Sequence, residues 1–197
     1  MREHDVPDWY IESCRRIKYM FPKAHAVAYL IAAIRLMWFK VYHPQVFYAV
    51  YFTVRGADID YEAAIGGTRV AQQHIKDIER LPKEERNAKT DDMLVSLQIE
   101  NEMLQRGYEF LPIQLGKSRA SKYLVEDGKV RLPFSALKGV GETAAIALEQ
   151  ATAHGQQYIS IEELQQASGV SGAIMESLRR VGALGDLPET SQVSFFG

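Results

Sequence analysis

Leu137-Lys-Gly-Val-Gly-Glu-Thr-Ala-Ala145 is the stretch on which the reading of this fold turns. Two glycines flank one apolar residue, a lysine precedes them, and an alanine-rich run follows. Glycine allows a tight turn and a close approach of another backbone. Val140, between the glycines, is placed to point inward and pin the turn. The first amides of the helix that follows have no intrahelical partner. Together with the helix dipole they favour an anion such as a phosphate. This is the pattern of a helix-hairpin-helix, and its DNA-contacting set is Lys138, Gly139, Val140, Gly141 and Thr143. Contacts of this kind hold the phosphate backbone and leave base sequence unread. The plainer reading is a glycine turn that merely starts a helix. Ser168-Gly-Val-Ser171, with Ile174, Leu178 and Val181 after it, repeats the spacing in degenerate form. It lacks the basic residue and reads as packing support for the first turn.

Around the turn the pattern is mixed. Residues 110–115 and 122–132 read as extended, with Glu126-Asp127-Gly128 as a turn between two short strands. Helices are predicted over 143–152, 161–167 and 173–181. The first half of the chain reads as helical throughout. Helices are expected over 9–19, over 24–42 between Pro22 and Pro44, over 61–80, and, with a break, from Pro82 to Arg106 with Gly107 as its cap. Gly66-Gly67 weakens the third of these. Residues 45–53 fit a helix or a strand. Apolar residues nearly encircle the 24–42 segment, which predicts burial. The fold class is therefore mainly α. A helical region (1–107) precedes a small α+β region with the hairpin (108–185), and a flexible tail ends the chain (186–197). No repeat of longer period is convincing.

The composition is that of a globular chain: 197 residues, 47% hydrophobic, 24% charged, 14 Gly and 7 Pro. It excludes collagen-like and wholly disordered chains. A single cysteine, Cys14, excludes an internal disulfide, and five scattered histidines give no zinc spacing. The most apolar run, 24–34, is 11 residues long. A membrane span needs about 20, so no membrane is expected. The net charge of −2 is unevenly distributed. Residues 13–57 carry seven Lys or Arg and no acid, interleaved with aromatics. Residues 117–138 carry six Lys or Arg against two acids. Basic residues mixed with aromatics suit phosphates and stacked bases. A helix pair with snorkelling cations would look the same.

Lys23-Ala-His-Ala-Val-Ala-Tyr29 follows Pro22 directly. His25 and Tyr29 are four apart and share a helix face. The alanines leave that face open, and Lys23 stands at the helix start. Lysine and histidine for phosphate oxygens, with tyrosine for a base or sugar, would make a nucleotide site. The alternative is that His25 and Tyr29 are satisfied polar residues of the core.

Both motifs, in this order, resemble the C-terminal part of the bacterial replicative DNA polymerase III alpha subunit, PolC-type. The likeness is carried by Ile17-Lys-Tyr-Met-Phe-Pro-Lys-Ala-His-Ala26, Ala28-Tyr29, Tyr48-Ala-Val-Tyr-Phe-Thr-Val-Arg55 and Leu132-Pro-Phe134. Leu137-Lys-Gly-Val-Gly-Glu142, Ser168-Gly-Val-Ser171 and Gln192-Val-Ser-Phe-Phe196 complete it. The resemblance implies that 1–107 is a helical fingers region, with Lys23, His25 and Tyr29 binding the incoming deoxynucleoside triphosphate. It implies that 108–185 holds duplex primer-template DNA. It implies that Gln192, Val193, Ser194, Phe195 and Phe196 dock into the sliding clamp, although Val193 and Phe195 stand where leucines are usual. No catalytic or metal-binding residue is expected here. Magnesium is expected in a palm that would lie before Met1, so the chain alone should not polymerise. Its partners would be the remaining polymerase domains, and its location cytoplasmic. A freestanding helix-hairpin-helix module and a clamp-tethered adaptor are the competing readings.

Overall fold

The computed structural model describes residues 1–17, 22–56 and 59–190. Its contacts divide the chain into two compact units, Met1–Tyr42 and His43–Gly197.

The first unit holds a 3-10 turn (Arg2–His4), α1 (Asp8–Arg16) and α2 (Lys23–Tyr42). At 1.5 Å per residue, the 20 residues of α2 extend about 30 Å. The predicted burial of this helix does not occur: none of its residues is buried. Leu30, Ile34, Leu36, Met37 and Val41 are all exposed. A helix that is apolar all round needs cover on every side, and no element of its own unit provides it. The membrane argument also needs correction. The whole of α2 is long and apolar enough to cross a bilayer, by length and composition only. Counting an uninterrupted run missed this, because Arg35 and Lys40 are isolated among apolar neighbours.

The second unit begins with α3 (Pro44–Arg55), with proline in its first turn. Its buried residues Tyr48, Ala49 and Phe52 follow a helical period, which resolves the helix-or-strand ambiguity. The helix expected over 61–80 is two helices, α4 (Tyr61–Gly66) and α5 (Thr68–Glu79). Gly67, at φ +79°, breaks it. The broken helix expected from Pro82 is a 3-10 turn (Lys83–Glu85) followed by α6 (Ala88–Gln105). Its start is set by Asn87, whose side chain accepts from the Thr90 amide at 2.9 Å. Its end is the expected Gly107. The Gly107 amide bonds to the Leu104 carbonyl, and the Tyr108 amide to that of Met103, the Schellman arrangement.

Three short strands follow: β1 (Phe110–Leu111), β2 (Leu124–Glu126) and β3 (Lys129–Arg131). The sheet order is β1-β3-β2. β2 and β3 form the predicted antiparallel hairpin, and β1 lies parallel to β3. Asp127 and Gly128 both have positive φ, as a two-residue hairpin turn requires. Helices α7 (Glu142–Thr152), α8 (Ile161–Ser168) and α9 (Gly172–Arg180) complete the unit. One apolar core runs from Tyr48 and Phe52 of α3, through Val130 of the sheet, to Leu148, Leu164 and Leu178 of the last three helices. The hairpins are thus mounted on the same core as α3 and the sheet. Leu97 of α6 packs with Ala63 and Ala71 in a smaller cluster.

Candidate nucleic-acid interface

The first hairpin has the geometry its sequence predicts. The Val140 amide closes the turn on the Leu137 carbonyl at 3.0 Å. Gly139 stands at φ +90°, which only glycine adopts readily. Val140 points into the core at 6% exposure, while Lys138, Gly139, Gly141, Glu142 and Thr143 are exposed. Gly141 caps α7 without any side-chain bond to its first amides. A Cβ placed on Gly139 or Gly141 would meet nothing within 4 Å. The space beside both glycines is therefore open. One detail differs from the expected motif. The element before the turn is a 3-10 turn (Phe134–Ala136) in place of a helix. Pro133 follows β3 too closely for a helix to develop before Leu137.

The second hairpin, expected to be degenerate, is the structurally complete one. α8 ends at Gly169, at φ +66°, whose amide bonds to the Gln165 carbonyl at 2.8 Å. Val170 is buried at 7% exposure, and Ser171 caps α9 without a side-chain bond. The difference lies in side-chain chemistry. Where the first turn has Lys138, the second has Ser168, whose hydroxyl donates back to the Leu164 carbonyl at 2.7 Å.

Charge counting overstates the basic patch. Among the six cations of residues 117–138, four are paired with acids of this unit. Lys117 and Arg131 meet Glu126, at 3.0 and 2.5 Å. Arg119 meets Glu149 at 3.0 Å, and Lys129 meets Glu109 at 2.5 Å. Arg131 and then Lys117 hold the Glu126 carboxyl down to about 2. Lys138 has no ion pair among the described residues. It is the cation of this stretch that the first hairpin presents to a ligand.

Sequence reasoning missed a buried polar cluster in the same unit. Glu100 of α6 is fully buried. One carboxylate oxygen accepts from the Asp60 amide at 3.1 Å and from the Ser96 hydroxyl at 3.4 Å. Burial pushes this carboxyl up to about 8, and the nearby Asp60 carboxylate adds to the effect. Asp60 itself caps α4 through the Ala63 amide and meets His74 Nδ1 at 2.7 Å. Nothing in the sequence marks Glu100 as different from the exposed acids around it.

In the first unit, α2 starts at Lys23, as expected. The rings of His25 and Tyr29 meet edge-on, with centroids 4.6 Å apart. Tyr29 is 67% exposed in this chain, and His25 is half-buried. Gln192, Val193, Ser194, Phe195 and Phe196 lie outside the described residues. Among the described residues, no three His, Cys, Asp or Glu side chains are grouped to hold a metal ion.

Residues 107–193 match a family described as a helix-hairpin-helix motif. Along its whole length the chain is 43% identical to the DNA polymerase III PolC-type of Caldanaerobacter subterraneus and 42% identical to that of Clostridium perfringens. It is 39% identical, again over its full length, to the one from Streptococcus sanguinis. The chain is a homologue of one segment of PolC-type DNA polymerase III. It spans 13–14% of the length of these relatives. Both hairpins of this chain fall within the motif match, and α2 precedes it.

Proposed function

We propose that this PolC-type segment holds duplex DNA by its phosphate backbone, chiefly through the first hairpin. The observation that carries the reading is the open turn at Gly139–Gly141, with the uncapped start of α7 and Lys138 beside it. Backbone amides at such a turn bind a phosphate oxygen without a side chain in the way. Thr143 adds a hydroxyl donor one residue into the helix. The second hairpin offers the same amides without a cation and contributes less.

The finer assignments rest on the resemblance. Lys23, His25 and Tyr29 bind the triphosphate of the incoming deoxynucleotide as part of the fingers. The tail peptide Gln192–Phe196 docks into the sliding clamp. Polymerisation, with magnesium held by palm carboxylates, belongs to the whole cytoplasmic enzyme and is not assigned to residues of this chain. The exposed apolar surface of α2 is covered by other polymerase domains, which accounts for its composition without a membrane. Lys23→Ala in a complete polymerase raises the KM for deoxynucleotides and leaves template binding unchanged if the nucleotide assignment holds.

The main reading is tested by titrating the full chain with two short blunt duplexes of unrelated sequence at several salt concentrations. Equal affinities that fall steeply with salt are expected, because each phosphate contact releases a counterion. Binding that prefers one sequence, or ignores salt, contradicts it.

A further inference from the structure

The first hairpin forms one wall of a groove of about 610 Å³. Ser135 to Val140 line this wall. The other wall is built from Ile59 to Glu62, ahead of and within α4, and from Lys89 and Met93 of α6. The groove is apolar at its base and charged at its edges. Among the described residues, five titratable side chains line it: Asp60, Tyr61, Glu62, Lys89 and Lys138. Asp60 is already occupied by the Ala63 amide and by His74. Glu62 is exposed at the edge. Lys89 and Lys138 are both exposed, and neither has an ion pair among the described residues. Lys117 and Lys129, in contrast, are both matched by acids. Two lysines with no ion pair among the described residues therefore line one groove, one from the hairpin and one from α6. The start of α6 needs no ligand of its own, since Asn87 already caps it.

We propose that this groove carries a phosphodiester strand of the same duplex that the hairpin holds, with Lys89 as the contact on the second wall. The inference rests on the hairpin reading and extends it to a residue outside the matched helix-hairpin-helix motif. The chemistry is charge complementarity: a strand brings regularly spaced anions past two cations with no competing partner. Among the described lining residues Glu62 is the unoccupied acid, and it limits affinity.

The test uses the full chain and a short blunt duplex, with affinity measured across a range of salt concentrations. The variants are Lys89→Ala, Lys138→Ala and, as a control, Lys76→Ala on α5, an exposed lysine outside the groove. Each true phosphate contact contributes about 0.9 to the salt slope, so its loss weakens binding on the order of eightfold at 0.1 M salt. Lys89→Ala and Lys138→Ala are each expected to show this, with Lys76→Ala unchanged and all melting temperatures equal to that of the parent. If Lys138→Ala shows the loss and Lys89→Ala does not, the groove is wrong and the hairpin reading stands. If neither does, the hairpin reading fails and takes the groove with it. If Lys76→Ala matches Lys89→Ala, or if Lys89→Ala lowers the melting temperature, the effect is not a groove contact and the inference is overturned.

Discussion

The two hairpins of this chain share a backbone and differ in chemistry. Each has a glycine at positive φ, a buried valine next, and a helix whose first amides no side chain caps. The first carries a lysine with no ion pair among the described residues, while the second carries a serine bonded to its own helix. The first lacks a full helix before its turn, and the second has one. Turn geometry and ligand chemistry are therefore separate properties. The shared core sets the geometry, and one residue before each glycine sets the charge.

The comparison breaks most severely at the core. Leu148 of α7 and Leu178 of α9 are both fully buried in one cluster. Leu148→Ala and Leu178→Ala should each cost about 2–5 kcal/mol, since both remove contacts and leave a cavity. A thermal melt showing one large and one negligible loss would mean that the hairpins do not share a core.

A pH titration comes next. Glu100 lies in α6, whose first turns form the groove wall opposite the first hairpin, and its carboxyl is raised from 4.5 to about 8. The folded state thus holds a proton that the unfolded chain releases above its ordinary value. This stabilisation is complete below about 4.5 and is lost as the pH rises towards 8. Hydrogen exchange at the α4 and α6 amides should quicken over that range more than at α8 and α9. Glu100→Gln keeps an acceptor for the Asp60 amide and should flatten the pH dependence. An unaltered pH profile in that variant would remove Glu100 from the account.

How much of this was visible in the residues varies with the range of the forces involved. The hairpin turn, the β2–β3 turn and the Gly107 cap are local, written in glycines whose φ the structure shows to be positive. The break at Gly67 was signalled by Gly66-Gly67, but its completeness depended on the packing of α4 and α5 against α6. The late start of α6 depended on Asn87, a cap that Pro82 overshadowed. Glu100 was invisible, because the Asp60 amide it accepts from lies 40 residues away in the sequence. The exposure of α2 was misjudged because an apolar helix reports that it needs cover without saying what supplies it. The charge of residues 117–138 misled for a related reason, since ion pairs to Glu109 and Glu149 form only in the fold.

Backbone strain gives a smaller contrast. Gly139→Ala and Gly169→Ala both force an L-residue to positive φ, at a cost of about 1–2 kcal/mol. Gly139, at +90°, should cost more than Gly169, at +66°, where the left-handed well is nearer. The reverse order in a denaturant titration would show that packing, and not φ, decides at these turns. Smaller still is Ser168→Lys, which gives the second turn the cation of the first. It should strengthen duplex binding modestly and steepen the salt slope by about 0.9 if that turn faces the duplex. No change would show that shared geometry alone does not bring the second hairpin to the DNA.

The central claim is that the open face of the first turn is where a phosphate sits. Gly141→Val addresses it directly. Gly141 has an ordinary φ of −74°, and a Cβ there meets nothing within 4 Å, so the fold should tolerate the change at the modest cost of a poorer cap on α7. A phosphate at the turn should not. The melting temperature should fall by no more than a few degrees while duplex binding weakens at least tenfold, or about 1.4 kcal/mol. Unchanged affinity in a variant that stays folded would contradict the claim.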